Sequence, residues 1–327
     1  MAIAITRRAL LAATAALALM PAAQAQSSWP EKPVTMIVPF PAGGGTDAFA
    51  RPLAAQLGAQ LGKTIIIDNK GGAGGTLGAA AAARATADGY TFFMGAVHHA
   101  IAPAVYPSLT YDIQKDLIPI AVVAVVPQVV VVNPKNVQAR NLTELLAAAK
   151  AAPGKMTYAS AGSGTSHHLA GELFKAMGQV DILHVPYKGA GPALQDLVGG
   201  QVDMMFDGLG SSSAHIAGGR IKALAVASKD RAVGANGTIP TSAEAGLPGY
   251  DVSTWYALWA PKGTPQPIID RMVGEVKAAL AHENVTKVWL LQGATTGAAT
   301  PADMSKFLAD EIARWSKVAK GGNIKVE

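Results

Sequence analysis

The sequence predicts an α/β protein of two doubly wound domains joined by a two-segment hinge. Short β-rich apolar runs alternate with alanine-rich helical stretches, which is the pattern of βαβ units around a parallel sheet. The strand-like runs are nearly continuous in apolar residues, as strands covered by helices on both faces must be. The whole pattern also occurs twice along the chain.

The first series places strands at Val34 to Val38, Thr64 to Asp68 and Thr91 to Gly95, with helices at Thr46 to Leu61 and Gly75 to Arg84 between them. The second begins with a strand at Val129 to Val132 and a helix at Leu142 to Ala151. It continues with strand Met156 to Ala159, helix His167 to Met177, strand Ile182 to Val185 and helix Ala190 to Val198. Strands at Met204 to Phe206 and Ala223 to Ala227 complete it. The stretch from Ile239 to Thr264 is rich in proline, glycine and aromatics, and the helical spacing resumes in Pro265 to Leu280, Val285 to Leu291 and Pro301 to Ala319. The chain is therefore expected to cross between domains near Val126 to Gln128 and again near Gly249 to Ser253. That gives one domain of residues 26–127 plus 253–327 and a second of residues 128–252, with a hinge able to close around a ligand.

The first 25 residues are read as an export signal. Arg7 and Arg8 precede an apolar run from Ala9 to Met20, and Ala23-Gln24-Ala25 offers a small-residue cleavage site. The run falls short of the roughly 20 residues a membrane span needs, and the paired arginines leave both the general secretory and the twin-arginine route open. Cysteine is absent, which excludes disulfides, thiol chemistry and a lipid-modified cysteine. The formal charge of +5 becomes 5 − 2 = +3 without Arg7 and Arg8, and no lysine or arginine run exists to track a phosphate backbone. A nucleic-acid partner is not expected.

In open parallel sheets a ligand sits beyond the carboxyl ends of the strands, where helix N-termini present free N–H groups. Glycine crowds those places here. Pro39-Phe40-Pro41-Ala42-Gly43-Gly44-Gly45-Thr46-Asp47 follows the first strand, and Asn69-Lys70-Gly71-Gly72-Ala73-Gly74-Gly75-Thr76 follows the second. In the second domain Ser160-Ala161-Gly162-Ser163-Gly164-Thr165-Ser166-His167-His168 adds hydroxyls and amides at another helix start. Three such loops converging on one cleft would donate hydrogen bonds without a strong positive side chain, a chemistry suited to a carboxylate. Each loop also has a plainer use in making its turn or capping its helix.

Phe40 and Tyr187 are candidate walls of the cleft, and Asp207, which ends the strand Met204 to Phe206, is a candidate acceptor for a ligand amine. The adjacent pairs His98-His99 and His167-His168 lack the i, i+4 spacing that binds zinc on one helix face, so each is expected to put one histidine in the cleft, His98 and His168, and one on the surface. No metal or cofactor is predicted. Gly58 to Thr64 fails as a phosphate loop because only three residues separate its glycines, and Gly72 to Gly78 departs from a dinucleotide fingerprint at Leu77. Ser163 lacks the flanking glycines of a nucleophile elbow, with Ala161 and Thr165 in their places.

Taken together, these loops resemble a known family. Trp29-Pro30, the Pro39 to Asp47 loop with Ala50-Arg51, Asp68 to Gly75, Ala87 to Thr91, Val185-Pro186-Tyr187-Lys188-Gly189, Ile239-Pro240-Thr241, Glu244-Ala245-Gly246 and Ala260 to Pro265 are similar to the substrate-binding receptors of tripartite tricarboxylate transporters, the Bug-type receptors. The match spans essentially the whole chain past the leader. The resemblance implies a periplasmic protein of the class II binding-protein fold, and the chain is expected to be a monomer and not an enzyme. It would grip a carboxylate with the first loop, partly through waters, and deliver it to separately encoded permease subunits. By the same resemblance Phe40, Ala42, Gly43, Gly44 and Asp47 belong to the first loop, Gly74 to the second, and Ser160, Gly162, Thr165 and His168 to the loop of the second domain. Pro52 departs from the pattern, since inside the first helix it removes a backbone donor and predicts a kink. Two other functions stay open at this level: a sensor subunit for a membrane signalling protein, and an exported hydrolase using Ser160 or Ser163 with His168.

Overall fold

A computed structural model describes residues 29–297, 300–321 and 324–326. The predicted leader, with Arg7, Arg8 and the cleavage signal, lies outside the described residues. Eight strands form one hydrogen-bonded path in the order β2-β1-β3-β9-β4-β7-β5-β6, and off that path β8 and β10 (Thr295–Thr296) pair with β4. The first half contains β1 (Val34–Val38), β2 (Ile65–Asn69) and β3 (Thr91–Ala96), all parallel. The second contains β5 (Thr157–Ser160), β6 (Leu183–Pro186) and β7 (Met204–Gly208), also parallel.

Two long strands join the halves. In β4 (Leu117–Val132) the front portion pairs with β9 (Ser253–Pro261), whereas Gln128 to Val132 pair with β7 and Val129 to Val132 with β8 (Lys222–Val226). The chain thus crosses at Pro127 to Gln128 and returns at Val252 to Ser253, where Gln128 N–H donates to the Val252 carbonyl. These strands depart from the purely parallel expectation for a topological reason. A strand arriving from the other half enters its new sheet at the end where the resident strands finish, so β9 runs against β3 and the far portion of β4 runs against β7.

Helices cover the sheets as their apolar spacing requires. In α1 (Gly45–Leu61) Phe49, Leu53, Leu57 and Leu61 recur every fourth residue and are buried, and Gly62 ends the helix at φ 66°, a left-handed position that glycine takes without strain. The helix runs on through Pro52 to Leu61 as one element. α2 (Thr76–Ala83) and α3 (His98–Val105) complete the covering in the first half, and α3 sits where the sequence pattern gave no helix.

In the second half α4 (Leu142–Ala151) starts with Asn141 accepting from the Glu144 N–H at 2.8 Å, while the Glu144 carboxylate reaches back to the Arg140 N–H. α5 (Ser166–Gly178), α6 (Ala190–Gly199) and α7 (Leu209–Ala217) follow. In α6 the spacing Ala190, Ala193, Leu194, Leu197 defines the buried stripe. The chain closes with α8 (Gln266–Ala281), α9 (Glu283–Leu291) and α10 (Pro301–Gly321). Trp289 of α9 packs against Phe49 at 5.4 Å, and Phe49 stacks on Tyr256 at 4.5 Å. This aromatic row anchors α1 to the strand that returns from the second half.

Candidate ligand-binding site

The glycine-bearing loops of the two halves face each other. Gly44, which precedes α1, lies beside Ala190 and Gly191 of α6, and Pro41 packs on Gly189. Gly74 lies beside Gly162, and a Cβ added to Gly74 would come within 2.9 Å of the Ser163 carbonyl. Two hydrogen bonds tie the halves there: Tyr106 Oη donates to the Ser163 carbonyl at 2.6 Å, and the Ser166 N–H donates to His98 Nδ1 at 3.0 Å.

Between the loops is a cavity lined by Phe40, Gly44, Gly45, Thr46, His98, Ala161, His167, Ala190 and Tyr256. Its volume is about 10 Å³, space for about one water. Most of its wall is helix start. Gly45 and Thr46 open α1, His98 opens α3, His167 stands second in α5 and Ala190 opens α6. Each start carries N–H groups without an intrahelical partner and the positive end of the helix dipole, so the four together make an anion-seeking surface with no lysine or arginine in the lining.

The predicted site residues divide into those that border the cavity and those that hold its walls. Phe40, Gly44 and His98 border it, with Phe40 edge-on to the His98 ring at 5.1 Å. Ala42 and Gly43 lie at the exposed lip. Asp47 is only 3% exposed, and its oxygens are taken by the Arg51 guanidinium at 2.8 Å twice, the Gly43 N–H at 3.0 Å and the Asn69 amide at 3.1 Å. Burial pushes this carboxyl up, but the bonds from Arg51, Gly43 and Asn69 outweigh burial and hold it below the usual carboxylate range. Its role in this structure is to fix the first loop on α1.

Gly74 and Gly162, at φ 61° and 132°, meet where the two halves touch and are not part of the cavity lining. Thr165 Oγ1 donates to the Gly162 carbonyl at 2.7 Å and closes that turn. Ser160 is fully buried and looks away from the cavity: its Oγ accepts from the Gly162 N–H at 3.1 Å and lies 2.6 Å from His184 Nε2. His168 stacks on His184 with ring centroids 4.1 Å apart, and its Nδ1 accepts from the Gly164 N–H. No Ser160 to His168 or Ser163 to His168 dyad is assembled. Tyr187 turns its hydroxyl to Asp196 at 2.7 Å, away from the cavity lining.

Asp207 is fully buried, with Oδ2 accepting from Ser211 and Ser212, each at 2.6 Å. Its Oδ1 has no hydrogen-bond partner and lies 3.6 Å from His167 Nε2. The expectation that each histidine pair places one ring on the surface is overturned. His98, His99 and His167 are all buried, and the member of the second pair that borders the cavity is His167, not His168. Successive helical residues point about 100° apart, and the start of α5 at Ser166 fixes which of the two faces the first half. Burial, with His167 and His99 nearby, holds His98 well below the ordinary imidazole range, and burial also lowers His167 against the opposing pull of Asp207.

Sequence reasoning missed Tyr256 as a cavity residue. It lies on β9, its ring rests on Phe49, and burial, reinforced by Asp207, raises its hydroxyl above the ordinary tyrosine range. Only the return of the chain through the hinge brings it to the first loop, and no local motif signals that.

Residues 49–324 match the family model described as the tripartite tricarboxylate transporter family receptor. Among solved structures the chain is similar to the periplasmic binding protein BugD, at 36% identity and a TM-score of 0.87 over 91% of this chain and 100% of that one. It is similar to Rpa4515 of R. palustris with adipate, at 38% identity and a TM-score of 0.87 over 91% and 99% of the two chains. It is also similar to MatC of Rhodopseudomonas palustris with bound malate, at 35% identity and a TM-score of 0.84 over 89% and 99%. These likenesses place the architecture among two-domain α/β periplasmic binding proteins.

Proposed function

The chain belongs to the tripartite tricarboxylate transporter receptor family, and from that premise we propose that it captures a small mono- or dicarboxylate between its two halves and hands it to the membrane permease of such a transporter. The convergence of four helix starts on one cavity carries the reading, because their free N–H groups and dipoles favour an anion there and little else. Two structural relatives, with adipate and with malate, support the ligand class. A family of receptors and structural relatives that are binding proteins make it a receptor, not an enzyme.

The bodies that move are residues 26–127 with 253–327 and residues 128–252, turning about the strand crossings at Pro127 to Gln128 and Val252 to Ser253. A cavity of about 10 Å³ is too small for a three-carbon acid, so the halves separate to admit ligand and the bound form is wider than this one. The carboxylate sits against the N–H groups of Gly44 to Thr46, with Phe40, Gly74, Gly162 and His98 around it. Asp47 fixes the first loop, and Thr165, Ser160, His168, Tyr187 and Asp207 hold the walls from behind. The protein acts as a monomer outside the cytoplasmic membrane after removal of its first 25 residues, and among the described residues no helix is long and apolar enough to cross a membrane.

A thermal-shift screen of organic, amino and aromatic acids tests this directly. At a ligand concentration 100 times Kd, binding to the folded state alone adds about 2.7 kcal/mol of stability. At least one carboxylate should therefore raise the melting temperature by several degrees. A panel in which none does rejects the reading.

A further inference from the structure

We propose that the crevice selects acids carrying a second hydrogen-bond donor, a hydroxyl or ammonium close to the carboxylate, and that His167 reads this donor while Asp207 positions its ring. The inference rests on the reading of the crevice as a carboxylate site and specifies which carboxylates it takes.

His167 borders the cavity. Behind it stands the Asp207 carboxylate, whose Oδ2 is saturated by the Ser211 and Ser212 hydroxyls and whose Oδ1, without a hydrogen-bond partner, lies 3.6 Å from His167 Nε2. A carboxylate oxygen at that separation favours an N–H opposite it over a lone pair, so the proton of the neutral ring belongs on Nε2. Nδ1 is then a lone-pair acceptor, and it is buried without a partner. The other titratable groups around the ring do not supply one. His98, whose ring centroid is 5.6 Å away, has its Nδ1 engaged by the Ser166 N–H, and the Tyr256 hydroxyl forms no hydrogen bond with His167.

A neutral acceptor offers nothing to a carboxylate, which the helix N–H groups already serve. It offers a partner to a donor hydrogen on the same ligand. A ligand that brings the donor satisfies Nδ1, and one that lacks it leaves a buried acceptor unpaired, which costs on the order of a tenfold loss in affinity. Asp207 touches no ligand in this scheme. It fixes the tautomer, in the way a second group orients a histidine that does the recognising.

The experiment is calorimetric titration of two matched pairs, L-malate against succinate and L-lactate against propionate, on the wild type, His167→Leu and Asp207→Asn, with a melting curve for each protein. The wild type should bind the hydroxy acid about tenfold or more tightly than its parent in at least one pair. His167→Leu should bring that ratio within about twofold. Asp207→Asn should narrow the ratio as well, because the ring is freed to present Nδ1–H, and a purely structural role for Asp207 would not alter a ratio. Equal binding of each pair by the wild type overturns the proposal, as does a preference that survives both substitutions. If one variant fails to fold, the ratio in the other decides. A protein that binds carboxylates without preferring either hydroxy acid sinks this proposal alone, whereas one that binds no carboxylate sinks the receptor reading with it.

Discussion

Gly44 is the residue on which the crevice turns. Its φ of −88° is open to any side chain, and a Cβ placed there would meet Gly191 N at 3.6 Å and Ala190 at 3.7 Å, ordinary contacts. Gly44→Ala should therefore fold and bind within a few-fold of the wild type. Gly44→Val should fold with a similar melting temperature yet bind at least about a hundredfold more weakly, since its methyls reach the start of α6 where ligand and partner loop must sit; calorimetry on both variants checks the contrast. Asp47 acts one step back. Asp47→Ala removes the bonds from Gly43, Arg51 and Asn69 to this carboxylate and leaves the loop the Asn69 amide's bond to the Phe40 carbonyl; it should cost about 2 kcal/mol of stability, less the share that exposure of Arg51 screens, in denaturant titration.

Burial sets the pH response of single residues as well. It holds His99 at about 4, partly offset by the bonds to Ala96 and Gly75, and holds His184 at about 3 with help from His168 and Lys175. In the unfolded chain both rings take up a proton near pH 6.5. Between those values the unfolded state binds more protons, so stability should be level above about pH 7 and fall as pH drops from 6.5 toward 4. Urea titrations across that range should show the decline, and His99→Asn should make it shallower; a flat profile contradicts these environments. At this scale Phe40 and Gly44 were legible because a loop after a parallel strand points to the cleft. The choice of His167 over His168 was not, because adjacent residues differ only by helix register, which the first residue of α5 decides.

Among the elements, the helix starts matter more than any side chain. α1, α3, α5 and α6 bring their N-termini to one cavity because each follows a strand that ends there, α3 most closely, since His98 comes after β3 with a single residue between. Most of these elements are visible in the sequence as apolar runs and four-residue spacings bounded by glycine. The front of β4, β9 and α3 are not: Leu117 to Val126 reads as an apolar run with a proline, and the Ser253 to Pro261 strand hides among aromatics whose burial comes from the returning topology. Two contacts between elements, Tyr106 to the Ser163 carbonyl and the Ser166 N–H to His98, hold the halves in this closed form. Tyr106→Phe deletes the bond from the end of α3 to the Ser163 carbonyl and, because the ligand-bound form is wider than this one, should strengthen ligand binding by up to about fivefold, the effect of about 1 kcal/mol, with little change in melting temperature. An unchanged Kd would show that this bond plays no part in closure.

For the molecule as a whole, one continuous path of strands carries two halves whose loops meet, and the chain passes between the halves at β4 and at the strand entering β9. The doubling of the βα pattern makes this architecture legible in the sequence, and the mixed strand directions follow from the two crossings. The depth of the crevice was not readable, since it depends on how far the halves have turned. Capture of an acid between them is the central claim, and titration calorimetry of the best acid from the thermal-shift screen tests it against wild type and Gly44→Val side by side. Wild type should show saturable one-to-one binding with a Kd near or below micromolar, and a Gly44→Val protein that melts normally should lose it. Equal affinity in the two proteins, or no saturable binding by the wild type, would contradict the claim.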